Sequence, residues 1–419
     1  MGMTMIEKIL ARASGREQVS VGDIVVCQVD RIVLLDLPFT SGTEPPPKRI
    51  VDPDRVAVIL DHAVPSPSIQ DSVGHNKARA FVRQHGIKSF YDVGNHGICH
   101  QVILEEGLAV PGQVLACMDS HTCASGALNC AARGLGRIEM LQILCTGQTW
   151  YKVCPTVRYV LKGRKQPGVY GKDIFLSIAG KYGDAANENQ EFGGPGLAML
   201  PFDDRATIST MAAEVSAEFS TFPADQVTQD YLKGKSRQPW NPVDPDPDAR
   251  YLDVREIDLD SLEPWVSRPD FVPHNTCPVG ELSGVPVQQA FIGSCANGKL
   301  EDLRTAAEIV KGRRVHADTR LIVTPASQKV YLQAVRLGYV ETLIEAGAVV
   351  TNSTCGACFG YHMGVVGPGE NCITSSTRNF KGRMGSPDAS VYIGSSATVA
   401  ASALAGCITD PRRYLKTAA

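Results

Sequence analysis

Two cysteines, Cys355 and Cys358, form a C-x-x-C pair in TNSTCGACFG (residues 351–360), and thiols at that spacing support three chemistries. Thiol–disulfide exchange needs only the pair, at the start of a helix that follows a strand. Structural zinc needs four ligands, and neither a second C-x-x-C nor a closely spaced histidine pair accompanies this one. An iron–sulfur cubane usually takes four thiolates, and one held by three leaves an iron open to substrate as a Lewis acid. Cys295 in GSCANG (293–298) is the candidate third thiol, in a glycine-flanked loop where the backbone can approach a ligand closely. On residue types and spacing alone, all three chemistries stay open.

The elements that must position such groups are short apolar runs. RVAVILDHAVPS (55–66) reads as a buried strand ending at Asp61-His62. QVLACMDSHT (113–122) reads as a strand ending at Asp119-Ser120-His121, followed by the small-residue, helix-compatible ASGALNCAARGLG. VQQAFIGSCANG (287–298) runs into Cys295, and KLEDLRTAAEIVKGR (299–313) is an amphipathic helix. GAVVTNSTCGACFG repeats the strand-then-cysteine order, and NCITSSTRNFKGR (371–383) sets Arg378 and Arg383 just after another strand. This alternation predicts an α/β fold. Open α/β sheets bind ligands at the carboxyl ends of their strands, so a crevice built from these edges would gather the chemistry.

With 419 residues the chain exceeds one ordinary core, and a division near 1–155, 156–275 and 276–419 is expected. The Pro- and Asp-rich SRQPWNPVDPDPDAR (236–250) cannot be a regular helix or central strand and reads as a long surface connection. A net charge of −3 gives no global attraction to nucleic acid or acidic membranes. No run approaches the roughly 20 apolar residues that span a bilayer, and no signal peptide opens the sequence, so a cytoplasmic protein is expected. Thirteen cysteines, an odd count, argue for free thiols or metal ligands over a disulfide framework. Cys27, Cys130, Cys145, Cys154, Cys277 and Cys407 read as small buried hydrophobes, and Cys117, Cys123, His75, His85, His274, His316 and His362 receive an equally plain structural reading.

The segments LDHAVPSPSIQ, FYDVGNHGICHQVILEEG, MDSHTCASGAL, CTGQTWYKVCPTVRYVLKG, EFGGPG, RATISTMAAE, FIGSCANGKLEDLR, CGACFG, STRNFKGRMG and YIGSSATVAASALAG together resemble the aconitase superfamily. Within it they are most similar to the large subunits of two-subunit hydro-lyases of the isopropylmalate/homoaconitate type. The resemblance runs in family order over nearly the whole chain. It implies a three-domain α/β/α assembly around a central cluster site, without the family's swivelling fourth domain. It implies a [4Fe-4S] cluster on Cys295, Cys355 and Cys358 with one iron not ligated by protein. It further implies acid/base and hydrogen-bonding roles for Asp61, His62, His100, Asp119, Ser120 and His121, an active-site carboxylate at Glu214, and substrate-carboxylate binding by Arg378 and Arg383. Those roles suit the dehydration of a 2-hydroxy di- or tricarboxylic acid, where hydroxide leaves poorly and a proton must leave carbon beside a carboxylate.

The family's base is a serine in a Gly-Ser-Ser-Arg motif on the fourth domain. Here Gly394-Ser395-Ser396 is followed by Ala397, so a separate small subunit carrying that serine is expected. Thr210 and Thr377 stand where the family usually has Asn, Ala296 where it has Thr, and Met118 where a small residue is common. STCGAC replaces a PGCGPC-like pattern. These departures admit two alternatives: a diverged single-subunit dehydratase of another 2-hydroxy acid, and a non-catalytic iron or redox sensor.

Overall fold

The computed structural model describes residues 2–41, 47–236 and 238–415, in two compact units. The first takes residues 1–163 and 185–257, and the second takes residues 164–184 and 258–419.

The first unit carries strands β1 (Ile24–Gln28), β2 (Arg31–Leu35), β3 (Val56–Ile59), β4 (Ser89–Tyr91), β5 (Val114–Cys117), β6 (Ala131–Gly134), β7 (Gln148–Lys152), β8 (Thr156–Lys162), β9 (Asn189–Gly193), β10 (Phe219–Thr221) and β11 (Asp253–Asp258). Its central sheet is parallel throughout, in the order β4-β3-β2-β5-β6. The runs RIVLL, VAVI and VLAC are apolar without alternation because both faces are covered. Ile32, Leu34, Val56 and Val58 enter one core, while Val33, Leu35, Ala57 and Ile59 enter another. β1 and β7 form an antiparallel ribbon, and β10-β9-β8-β11 a third sheet.

The strand order of the central sheet reverses between β2 and β5. At such a switch point successive loops leave in opposite directions and open a crevice. Asp36 follows β2, Asp61-His62 follow β3, and Asp119-Ser120-His121 follow β5.

The helix-compatible stretch after Asp119 splits. A 3-10 helix spans Ser120–Leu128, Asn129 stops it in the left-handed conformation (φ 63°), and the next residues pair with β5 as strand β6. Gly126 lets that helix lie against β10, since a Cβ there would sit 1.6 Å from the Ser220 carbonyl oxygen and 2.8 Å from Ser209 Oγ. Gly126→Ala is expected to cost about 3 kcal/mol or more. The thermal midpoint should then fall by roughly 5–10 °C in a calorimetric scan.

The second unit carries β12 (Trp265–Ser267), β13 (Thr276–Pro278), β14 (Gln289–Ile292), β15 (Arg320–Val323), β16 (Val349–Val350), β17 (Asn371–Thr374) and β18 (Ser390–Ile393), in the order β13-β12-β18-β17-β14-β15-β16. The five strands from β18 to β16 are mutually parallel, and their order reverses between β14 and β17. The helix Gly171–Tyr182 packs in this unit, where Thr276 Oγ1 donates to the Leu176 carbonyl at 2.7 Å and Asp173 accepts the Trp265 N–H at 2.9 Å.

Among the described residues no helix is long and apolar enough to cross a membrane. None of the 13 cysteines is in a disulfide. Cys27, Cys130, Cys154 and Cys277 are buried as expected, whereas Cys145 is exposed on the helix Arg137–Thr146 and Cys407 is half-buried.

Candidate active site

In the first unit the strand ends bring Asp61, His62, His100, Asp119, His121 and Glu214 into one buried network. Asp119 Oδ1 accepts from His100 Nε2 at 2.8 Å and from the His121 backbone N–H at 2.8 Å. Its other oxygen stands 3.7 Å from His62 Nε2. His121 Nε2 meets Glu214 Oε1 at 2.7 Å. His62 Nδ1 bonds to Asp61, whose second oxygen accepts the Cys99 N–H at 3.1 Å. Ser120 is exposed beside this network. His100 Nδ1 is buried with no hydrogen-bond partner among the described residues.

The two central carboxyls are pushed apart in acidity. Burial drives Asp61 up, and the facing His62 does not offset it. Burial acts on Asp119 in the same sense, but His100 and His121 outweigh it and hold that carboxyl well below the ordinary range. The two carboxyls, one raised by burial and one held low by His100 and His121, lie towards opposite nitrogens of the His62 ring, an arrangement that sets two carboxyls apart in acidity within one site.

Asp36 and His75 belong to the same network, although their residue types and spacing had given no functional reading. Asp36, fully buried, accepts the backbone N–H of His62 at 3.2 Å and of Ala63 at 2.8 Å. Its oxygens stand 3.8 Å from His62 Nδ1 and 3.7 Å from His75 Nε2. Ser66 Oγ meets the other nitrogen of His75 at 2.9 Å.

Burial pushes the Asp36 carboxyl up, but His75, His62 and the two backbone N–H groups override it and bring it to about 2. A folded value below the unfolded one stabilises at pH above the unfolded value, and the gain disappears as pH falls through the folded value. About 2 kcal/mol should therefore be present above pH ~4 and vanish by pH ~2. Denaturant titrations of the parent and Asp36→Asn proteins across that window should converge at the acid end.

In the second unit the switch point between β14 and β17 carries Cys295 on one side and the residues leading to Arg378 on the other. Ser375 Oγ accepts the Gly293 N–H at 3.1 Å and ties the two loops together. Ser294, just before Cys295, has φ 110°, which costs a non-glycine residue about 1–3 kcal/mol. Its hydroxyl accepts the N–H of Ala296 and of Asn297, both at 3.2 Å, which holds the strained turn. Asp302 closes the loop by accepting from Asn297 Nδ2 at 2.8 Å and the Lys299 N–H at 3.0 Å.

Cys355 precedes and Cys358 lies within the 3-10 turn Gly356–Phe359 after β16, with the Cys358 N–H bonded to the Cys355 carbonyl at 3.0 Å. Gly360 ends that turn (φ 71°), and a Cβ there would meet the Arg383 carbonyl oxygen at 2.5 Å. The turn thus seats directly on the Arg383 segment. The Arg383 guanidinium lies 5.6 Å from the Phe359 ring centre and 5.7 Å from that of Phe380. Lys172, fully buried, donates to the Ser376 carbonyl at 2.9 Å beside Arg378.

Three thiols at one sheet edge suit an iron–sulfur group. Cys295 and Cys358 are buried and Cys355 is half-buried, in loops whose backbone is fixed by strain and hydrogen bonds. Cys372, by contrast, lies within β17, and burial pushes its thiol to about 12, the state of an inert core residue. Soft thiolates on a preformed turn fit a [4Fe-4S] cluster.

Thr210 and Thr377, which stand where the family usually has Asn, are both buried. Thr210 Oγ1 donates back to the Ala206 carbonyl at 2.6 Å inside its own helix. Thr377 Oγ1 is buried with no hydrogen-bond partner among the described residues. The serine pair after Gly394 is structural: Ser395 caps the helix Ser396–Ala405, and Ser396 Oγ donates to Asp302 at 2.7 Å.

A family model described as the aconitase family (aconitate hydratase) matches residues 48–283 and 272–406. A 3-isopropylmalate dehydratase large subunit from Mycolicibacterium smegmatis is 59% identical over 415 residues, covering 99% of this chain and 98% of that one. A 3-isopropylmalate dehydratase large subunit 1 from Methanopyrus kandleri is 44% identical and covers 99% and 100%. A 3-isopropylmalate dehydratase large subunit from Aquifex aeolicus is 39% identical and covers 99% and 98%.

Proposed function

The chain belongs to the aconitase family, and on that premise we propose that it is the cluster-bearing large subunit of a hydro-lyase that dehydrates and rehydrates isopropylmalate. A separate small subunit supplies the serine base. The observation that carries this reading is the set of three cysteines at the carboxyl edge of the second unit's sheet, in a chain so close along its whole length to large subunits of that enzyme. The division into family domains at 1–155, 156–275 and 276–419, and a cytoplasmic location, belong to the same proposal. For the division, β1 to β7 fall in the first span and β8 to β11 in the second, while β12 and the helix Gly171–Tyr182, also in the second span, pack in the unit that holds 276–419.

When bound, a [4Fe-4S] cluster with one iron left without a cysteine supplies a Lewis acid for the departing hydroxyl. Arg378 and Arg383 take the substrate carboxylates in planar, permanently charged forks. They also spread the charge that builds there as the C–H proton leaves. His62 and His100, both bonded to carboxyls, are placed to pass a proton to the departing hydroxyl so that it leaves as water. Asp119, kept ionised, orients His100 and the His121 backbone. Glu214 fixes the ring of His121. Readdition of water at the neighbouring carbon runs the same steps backwards and makes the enzyme an isomerase.

The test is anaerobic purification of the chain alone and with a coexpressed small subunit, followed by an assay of isopropylmalate dehydration. Activity confined to the complex is the expected result. A fully cluster-loaded complex inactive on isopropylmalate would overturn the substrate assignment. Activity of the chain alone would favour the single-subunit alternative.

A further inference from the structure

We propose that Asp36, braced by His75, is the positioning residue for His62, gripping the segment 61–66 at two points. The inference rests on the reading of His62 as part of the catalytic network. The first grip is direct, through the backbone N–H groups of His62 and Ala63. The second is looser and runs through His75, whose buried Nε2 stands 3.7 Å from the Asp36 carboxylate without a hydrogen-bond partner among the described residues and whose other ring nitrogen meets Ser66 Oγ at 2.9 Å. Asp36 follows β2 and lies at the switch point, so its place is set by the same sheet that places Asp119.

A neutral side chain could hold a turn. Burying a carboxylate completely costs several kcal/mol before compensation, and here the compensation comes from the backbone of His62 and two imidazoles. The charge sits 3.8 Å from His62 Nδ1, on the side of the ring away from Asp119. Asp61, the sequence neighbour of His62, is the carboxyl that burial pushes towards neutrality. Asp36 places a second carboxylate behind His62, held there by the His62 and Ala63 N–H groups. The arrangement fixes the direction in which Nε2 points, and a misplacement of about 1 Å in such a group can cost about 100-fold in rate.

The experiment uses the cluster-loaded large-plus-small complex, with Asp36→Asn, His75→Gln and, as a control on the catalytic reading, His62→Gln. Three quantities are measured: kcat per cluster, KM, and hydrogen exchange of the peptide covering residues 60–66. Asp36→Asn is expected to lower kcat by about 100-fold with KM within about threefold. Exchange at 60–66 should quicken while other peptides are unchanged. His75→Gln should show the same pattern at about tenfold. If His62→Gln loses activity while Asp36→Asn keeps kcat within about threefold, positioning is overturned and the catalytic reading stands. If His62→Gln itself stays active, the catalytic reading is what fails. Should Asp36→Asn not fold, His75→Gln decides by the same readouts. Failure of both to fold would make the pair structural and overturn the proposal.

Discussion

Cys295→Ala is expected to leave a folded chain that holds no [4Fe-4S] cluster and turns over isopropylmalate less than about a thousandth as fast as the parent, a loss of about 4 kcal/mol in transition-state stabilisation. The side chain is small and nearly buried, so removing one sulfur opens little cavity. Its loop is held by other residues: Ser375 on Gly293, the Ser294 hydroxyl on the two following N–H groups, and Asp302 on Asn297 and Lys299. The backbone therefore stays in place while the proposed ligand set drops from three thiols to two. Iron and sulfide assays with EPR read the cluster, and a thermal scan reads the fold. Cys130→Ala is the matching control. That thiol is buried, pushed far up by desolvation and bonded to the Val110 carbonyl at 3.1 Å, so the cluster and the activity should survive its loss. A Cys295→Ala chain with a full complement of about four irons would remove Cys295 from the ligand set.

Asp119→Asn should lower kcat by about 100- to 10,000-fold with the cluster retained. The substitution isolates charge from shape. Both short contacts, from His100 and from the His121 N–H, fall on the same oxygen, Oδ1, which an asparagine keeps. The amide nitrogen replaces the oxygen 3.7 Å from His62 Nε2. Near neutral pH the variant should melt below the parent, because it lacks the stabilisation of the ionised carboxylate. The parent's Asp119 is held below the ordinary carboxylate range, so its stabilisation is present above that range and is lost as pH falls through the lowered value. The gap between parent and variant should close as pH falls through the lowered value, and denaturation curves at descending pH will show the convergence. An Asp119→Asn complex with normal kcat would mean that the ionised carboxylate has no part in proton movement.

The positions of the candidate residues were legible because short apolar runs in this fold stop at the carboxyl edges of its sheets. RVAVIL, QVLAC and VQQAFI announce strands by composition, and the next polar residue is at the carboxyl edge. Asp36 gives the same signal after RIVLL and was readable on that ground, but a lone aspartate before Leu-Pro reads equally well as a turn. His75 offered no signal at all. It lies on the helix Ile69–His85, where a histidine is most often a solvated or core residue, and only the third dimension sets it beside Asp36. The strand β6 was hidden because Ala-Ala-Arg-Gly has no strand propensity, and it pairs because Asn129 ends the preceding helix. The strain at Ser294 was likewise invisible, since a serine in a glycine-rich loop says nothing about its own φ. Residue types marked the participants, while the backbone fixed which of them serve as supports.

The exchange of residues 164–184 into the second unit bears on how the ribosome delivers this chain. The helix Gly171–Tyr182 leaves the exit tunnel with Ile174, Phe175, Leu176 and Ile178 ready to be covered. The strands that cover it, β12 and β13, are encoded only after the rest of the first unit has been made. At about 5–20 residues per second that is a wait of several seconds with an oily face unclaimed. Translation therefore cannot finish one unit and then begin the next. A truncation at residue 163, or a start at residue 258, yields neither unit whole.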